Sequence, residues 1–349
     1  MENLFIHTAG GIRSLLESAG LSVAAADFVL LFLKLGAILV YILISALWLV
    51  YMERKVSAYM QCRIGPNRVG PMGLLQTTAD IGKLISKEFI IPKDADKKLF
   101  LLGPILIFMP PLAVFAVAPF GEGMVALDLN IGVYYFLAMA SLSTVIIWMS
   151  GWASNNKYSL IGGMRVVAQM VSYEMPLILS ILGVIILTGT LNMSGIIRAQ
   201  EHVWFIFLQP LAFIIYLIAA VAETNRTPFD LVEGESEIIS GPFTEYSGMG
   251  FAMFFLAEYA NVVLVSVMAV TLFLGGWHAP FGLTVIPSWI WFLVKVYFMI
   301  FLLMWFRWTY PRIRVDQLME FGWKVLVPLS LANIFLTGIG KYFYDMMGW

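Results

Sequence analysis

Charge is what this chain has least of: Asp, Glu, Lys and Arg make up 12% of its 349 residues, against about 25% in an ordinary soluble domain. With 60% hydrophobic residues, it is composed for lipid. A single cysteine, Cys62, excludes an internal disulfide framework and a self-contained iron–sulfur cluster, and its expected role is inert packing. The three histidines, His7, His202 and His278, fall on one face by the distribution of basic residues, so no span offers a pair of haem ligands. There is no phosphate-cradling glycine loop followed by Lys-Ser or Lys-Thr, no zinc-binding spacing and no dinucleotide fingerprint. Any redox cofactor must therefore belong to partner proteins. Neither a fixed-period repeat nor a low-complexity linker divides the chain, so residues 1–349 are expected to form one integral membrane domain.

What the chain does contain is long apolar runs. Hydrocarbon about 30 Å thick takes about 20 apolar residues per helix. Eight such runs lie near 28–51, 99–118, 131–151, 166–189, 204–222, 250–275, 286–306 and 323–340. The fold class is thus an all-α membrane protein, a polytopic bundle of eight transmembrane helices. Lys and Arg are distributed unequally between the two sides. The segment 52–98 holds nine, and the other connections on its side add Lys157, Arg165, Arg226, Arg307, Arg312, Arg314 and Lys324. The opposite side has Arg13, Arg198 and Lys341, while Lys34 and Lys295 fall inside spans. The positive-inside bias then places 52–98 and 223–249 in the cytoplasm and both termini outside. Residues 1–27 lack the basic start and cleavage site of a signal peptide, so the first span is expected to be retained, preceded by an extracytoplasmic segment.

The two long cytoplasmic loops are where function is expected. In the first, GPMGLLQTTADIGKLISKEF reads as an amphipathic helix opening at Pro71, with Gln76, Asp80, Lys83 and Lys87 on one face. It would lie in the headgroup layer or act as a lid over a cavity. Prolines inside spans (Pro104, Pro110, Pro111, Pro176, Pro210 and Pro328) free backbone carbonyls that lipid cannot satisfy, a pointer to an internal polar path.

The few acids are placed as tellingly. Glu174 and Glu258 lie within apolar spans. A mid-span carboxylate costs about 2.5–3.5 kcal/mol on insertion scales, so each must face the bundle interior. Either they are buried acids hydrogen-bonded between helices, or they belong to a proton or ion path. The segment ETNRTPFDLVEGESEIISG, residues 223–241, sets Glu223, Asp230, Glu233, Glu235 and Glu237 against Arg226 alone, with apolar residues between them. Repulsion and partial burial favour proton exchange near neutral pH in such a cluster.

These motifs extend to a family resemblance. From Glu53 to about Trp323, the stretches MERKVSAYMQCRIGPNRVGPMGLLQTTADIGKLISKE, SNNKYSLIGGMRVVAQMVSYE, ETNRTPFDLVEGESEIISGPFTEYSG, FLAEYAN and RWTYPRIRVDQL resemble the quinone-site membrane subunit family of proton-pumping NADH:quinone oxidoreductase, respiratory complex I. The resemblance implies a subunit that joins the hydrophilic arm to the membrane arm. It also implies a tunnel for a quinone substrate, ubiquinone or menaquinone, and a proton path through Glu174, Glu223, Asp230, Glu233, Glu235 and Glu258. Arg54, Asp80, Arg226, Arg307 and Arg312 match positions at or near the quinone cavity. The arginines near the end of the seventh run would otherwise merely obey the positive-inside bias.

Iron–sulfur clusters and flavin would reside in partner subunits. The implied partners are the hydrophilic quinone-site subunits, adjacent small membrane subunits and the lipid bilayer, and no nucleic acid. The implied location is a bacterial inner membrane or an equivalent energy-coupling membrane. A membrane-bound hydrogenase or other-donor relative would share much of the pattern. A stand-alone secondary transporter would share the buried acids and broken helices.

Overall fold

The computed structural model describes residues 3–18, 20, 22–231, 240–280 and 286–347. Among them the regular elements are helices: α1 (Asn3–Ser18), α2 (Val23–Met60), α3 (Gln76–Ser86), α4 (Lys97–Phe115), α5 (Gly132–Ala153), α6 (Lys157–Thr188), α7 (Met193–Arg198), α8 (Phe205–Leu208), α9 (Pro210–Glu223), α10 (Gly248–Phe273), α11 (Ser288–Thr309), α12 (Val315–Phe321) and α13 (Val327–Met346). A π-helical turn, Gly322–Leu326, joins the last two.

Seven stretches among the described residues are long and apolar enough to cross a membrane: α2, α4, α5, α6, α10, α11 and the continuous rod of α12 and α13. They coincide with seven of the eight expected runs. The other run, 204–222, is α8 followed by α9, an apolar helix of 14 residues. Pro210 is the reason for the break. It cannot donate an N–H and its ring crowds the preceding turn, so Gln209 leaves the helical region and α9 restarts with proline in its first turn.

Helix ends differ from the apolar runs where polar residues continue a helix. α2 runs on through the charged segment to Met60, and α6 begins at Lys157, where the Asn156 side chain accepts a hydrogen bond from the Tyr158 N–H. α3 is shorter than expected. Met72 and Gly73 adopt left-handed backbone (φ +54° and +80°), and a Cβ at Gly73 would lie 2.3 Å from the Pro66 carbonyl oxygen. Pro71 therefore opens a tight 3₁₀ turn, and the helix starts at Gln76. It ends at Ser86, so Lys87 and Phe89 lie beyond it. Cys62 does not pack as expected: it is exposed, in left-handed conformation, in the turn that ends α2.

Lipid gives little drive for one apolar helix to bury against another, so close approach relies on small residues and hydrogen bonds. Where α5 meets α6, Gly151 and Gly163 face each other with buried Ser150, Ser154 and Ser159 nearby. Gly162 lies so near Gly241 that a Cβ would come within 2.5 Å of its Cα. α4, α5, α6 and α9 pack in sequence, with α10 against α4, α9, α11 and α2. From Val262 to Phe273 every residue of α10 is buried. This central helix carries Glu258 and Tyr259 in its less buried first half, and the site is assembled around them.

Candidate functional site

Glu53 follows the apolar part of α2 by two residues. Because the helix continues, Leu49, Glu53 and Ser57 fall on one buried face at four-residue spacing. That face meets α10, α11 and the turn after α9. The turn is shaped by Asn225 in left-handed conformation (φ +51°) and fastened to α6 by Gln169. The Gln169 Nε2 donates to the carbonyls of Ala222 (2.7 Å) and Phe229 (2.8 Å). Arg226 is thereby directed inward.

The result is a compact ion network. Arg226 Nη1 donates to both Glu53 oxygens at 2.9 and 3.0 Å, and the Tyr259 hydroxyl donates to Glu53 Oε2 at 2.6 Å. Arg307, in the last turn of α11, also donates to Glu53 Oε1. Arg226 Nε lies 3.0 Å from Glu258 Oε1, and its guanidinium sits over the Tyr259 ring, 4.6 Å from the centroid. Two cations and two carboxylates thus share one enclosure. Burial opposes the Arg226 charge, but Glu258 and Glu53 outweigh it and raise the pKa above the ordinary arginine value. A cavity of about 10 Å³ opens on this network, lined by Glu53, Arg226, Tyr259, Val262, Leu303, Met304 and Arg307.

Glu258 also faces a second cavity, of about 30 Å³, which it shares with Glu223, Asn225 and Asn261. A third, about 10 Å³, shares Glu223 and Asn261 and continues past Pro110, Pro111 and Ser143 to Leu264 and Val265. A water needs about 10–15 Å³ of such space and two to four polar partners, so these volumes suit single waters. Glu223, the last residue of α9, has its Oε2 enclosed without a hydrogen-bond partner among the described residues. Glu174 exerts Coulombic repulsion on it. The Ser141 hydroxyl of α5 donates to Glu174 Oε1.

The expected site residues therefore separate into groups. Arg226, Arg307 and Glu258 come together through Glu53. Glu258, Glu223 and Glu174 follow one another across α10, α9 and α6. Arg54 points away from its neighbour Glu53 because adjacent helical residues differ by about 100°. It pairs with Asp80 of α3 at 2.5 Å, and Gln76 Nε2 holds the other Asp80 oxygen at 3.0 Å. Arg312 is exposed and joins neither group. Asp230 is half-buried and partnered. Glu233, Glu235 and Glu237 lie outside the described residues.

Glu53, Tyr259 and Ser141 are what sequence reasoning missed. The four-residue spacing of Leu49, Glu53 and Ser57 was the available signal for the first. Chemically, cations held rigidly in an enclosed site stabilise negative charge that develops beside them. Carboxylates separated by water-sized cavities can pass protons.

The sequence profile of the NADH dehydrogenase family matches residues 33–338. The chain is 57% identical over 348 residues to a Carboxydothermus hydrogenoformans protein named as the H subunit of NADH-quinone oxidoreductase, covering 100% of this chain and 99% of that one. Proteins of the same name from Bacillus mycoides and Bacillus thuringiensis are 55% and 54% identical over 290 residues, which is 83% of this chain and 87% of each.

Proposed function

Since the chain belongs to the NADH dehydrogenase family, we propose that it is the quinone-channel and proton-coupling membrane subunit of a proton-translocating NADH:quinone oxidoreductase. The observation that carries this reading is the sharing of Arg226 by Glu53 and Glu258. One guanidinium joins the cation group to the first of the half-buried acids. Quinone reduction takes up two protons and passes through negatively charged species. Arg307 and Arg226 would stabilise that charge, with the Arg54–Asp80 pair and Arg312 nearer the approach to the cavity. A change of charge there alters the field on Arg226 and hence on Glu258. Glu223 and Glu174 then carry the proton onward, and Asp230, Glu233 and Glu235 supply it from the loop.

In this reading α8 and α9 together make the eighth span, both termini are extracytoplasmic, and residues 1–349 form one integral domain of a bacterial inner or equivalent membrane. The long cytoplasmic loops meet the hydrophilic quinone-site subunits, which carry flavin and iron–sulfur clusters, and small membrane subunits flank the bundle. The relatives' shared name gives no support to a hydrogenase-type relative or a stand-alone transporter.

The reading is tested with Arg307→Ala in the assembled complex. Quinone-dependent turnover is expected to fall, while electron transfer from NADH to a hydrophilic acceptor persists. Wild-type quinone turnover and affinity would reassign Arg307 to membrane anchoring.

A further inference from the structure

The cations and acids of the candidate site gather toward one end of the bundle. Toward the other end lies a buried cation that the proposed function does not use. Lys295 belongs to α11, twelve residues before Arg307 and so about 18 Å from it along the helix. Its Nζ donates to three backbone carbonyls, those of Leu274 (2.7 Å), Gly276 (3.0 Å) and His278 (2.6 Å). An ammonium has three N–H donors, so all are used. The ring of Trp204 lies against it, 4.2 Å from the nitrogen.

The acceptors belong to a segment folded around that cation. α10 ends at Phe273, and the chain then turns through Gly275 and Gly276, both left-handed (φ +69° and +49°). A Cβ on Gly275 would come within 2.6 Å of Trp204 Nε1, and one on Gly276 within 2.6 Å of the Ile197 side chain. Gln200 Oε1 accepts from the Gly275 N–H (3.0 Å), while its Nε2 donates to the Thr271 carbonyl (2.8 Å). The His278 ring bonds the Ile197 carbonyl at 3.0 Å. Carbonyls at a helix C-terminus normally seek water or a cap, and here a lysine takes that place.

Between this clamp and the acids, α10 is buried at every residue from Val262 to Phe273. The Tyr216 hydroxyl is spent on the Val265 carbonyl (2.9 Å), and Ser266 and Thr271 bond within their own helix. The cavity that continues from Glu223 reaches Leu264 and Val265. Sixteen residues, about 24 Å, separate Glu258 from Leu274 along this line.

We propose that Lys295 closes a proton barrier at the end of the bundle opposite the acids. Its ammonium, clamped by the Leu274, Gly276 and His278 carbonyls against Trp204, occupies acceptors that would otherwise draw in water. Protons that enter the acidic cavities are thereby denied passage to the far face through this chain. The inference rests on reading those acids as a proton path.

The test uses the assembled complex with Lys295→Met, sealed in lipid vesicles carrying an imposed pH gradient, with neither NADH nor quinone added. The gradient is expected to decay several-fold faster than with wild type, while quinone turnover measured in detergent is unchanged. Decay at the wild-type rate overturns the proposal. Should the variant fail to assemble, Trp204→Leu, which removes the ring set against the ammonium, is read in the same assay: faster decay supports the barrier, and decay at the wild-type rate overturns it. Adding Glu223→Gln to Lys295→Met separates this idea from its premise. Restored retention means the leak ran through the acids. A leak that persists leaves the barrier standing and removes Glu223 from the proton path.

Discussion

The network around Glu53 and the acids around Glu223 lie side by side and are built on opposite terms. At Glu53, both oxygens are engaged by Arg226, Arg307 and Tyr259. At Glu223, one oxygen is enclosed with no partner among the described residues, beside cavities the size of a water. A carboxylate held by two guanidiniums and a phenol hydroxyl is fixed in position, with both of its oxygens already committed. A carboxylate enclosed with little to hold its charge is where a proton can be gained and lost at small cost to the surroundings. In the proposed function the first region sets a field, and the second answers it.

The comparison breaks most visibly if Arg226 is removed. Arg226→Met leaves Glu53 and Glu258 without their shared cation, and losing one partner of a buried pair costs about 3–5 kcal/mol. Failed assembly or a marked drop in thermal stability of the membrane arm is expected. Normal stability would show the network to be expendable. Glu223→Gln should do the reverse. The complex assembles, while quinone turnover and proton translocation fall together, by on the order of 10²-fold if Glu223 relays the proton. Measuring both in vesicles is decisive, since retained pumping would make Glu223 structural.

A smaller effect is expected of Ser141→Ala, which takes one hydrogen bond from Glu174. With a net value of about 0.5–1.5 kcal/mol, turnover should drop a few-fold without loss of assembly. No change would place Glu174 off the path. The smallest change in stability belongs to Arg54→Ala. Its pair with Asp80 is partly exposed, and such pairs contribute about 0–1 kcal/mol. Melting should be nearly unaltered, and only a raised quinone KM would keep Arg54 at the cavity approach.

Much of this was legible in the sequence, for physical reasons. Glu174 and Glu258 announced themselves because a carboxylate inside an apolar run has few reasons to be there. Apolar length identified seven spans and located the eighth run, with Pro210 marking its break. Glu53 was obscured because the apolar window ends at residue 51, whereas the helix does not end until Met60. Its partners lie 173, 206 and 254 residues away in the chain, and no local pattern encodes such pairings. The opening of α3 was misplaced for another reason. Pro71 suits a first helical turn, but the close approach of Gly73 to Pro66 forces a different backbone there.

Glu53 and Arg54 are consecutive on one rigid helix, yet one reaches into the bundle toward Arg226 and the other grips Asp80 on α3. This makes the end of α2 an axle with two cranks set about 100° apart. At a side-chain radius of about 5–6 Å, turning the axle by roughly 20° carries each tip about 2 Å. That travel is enough to part a hydrogen bond. A displacement of Asp80 against the bundle would therefore bear on Glu53 as torsion of α2.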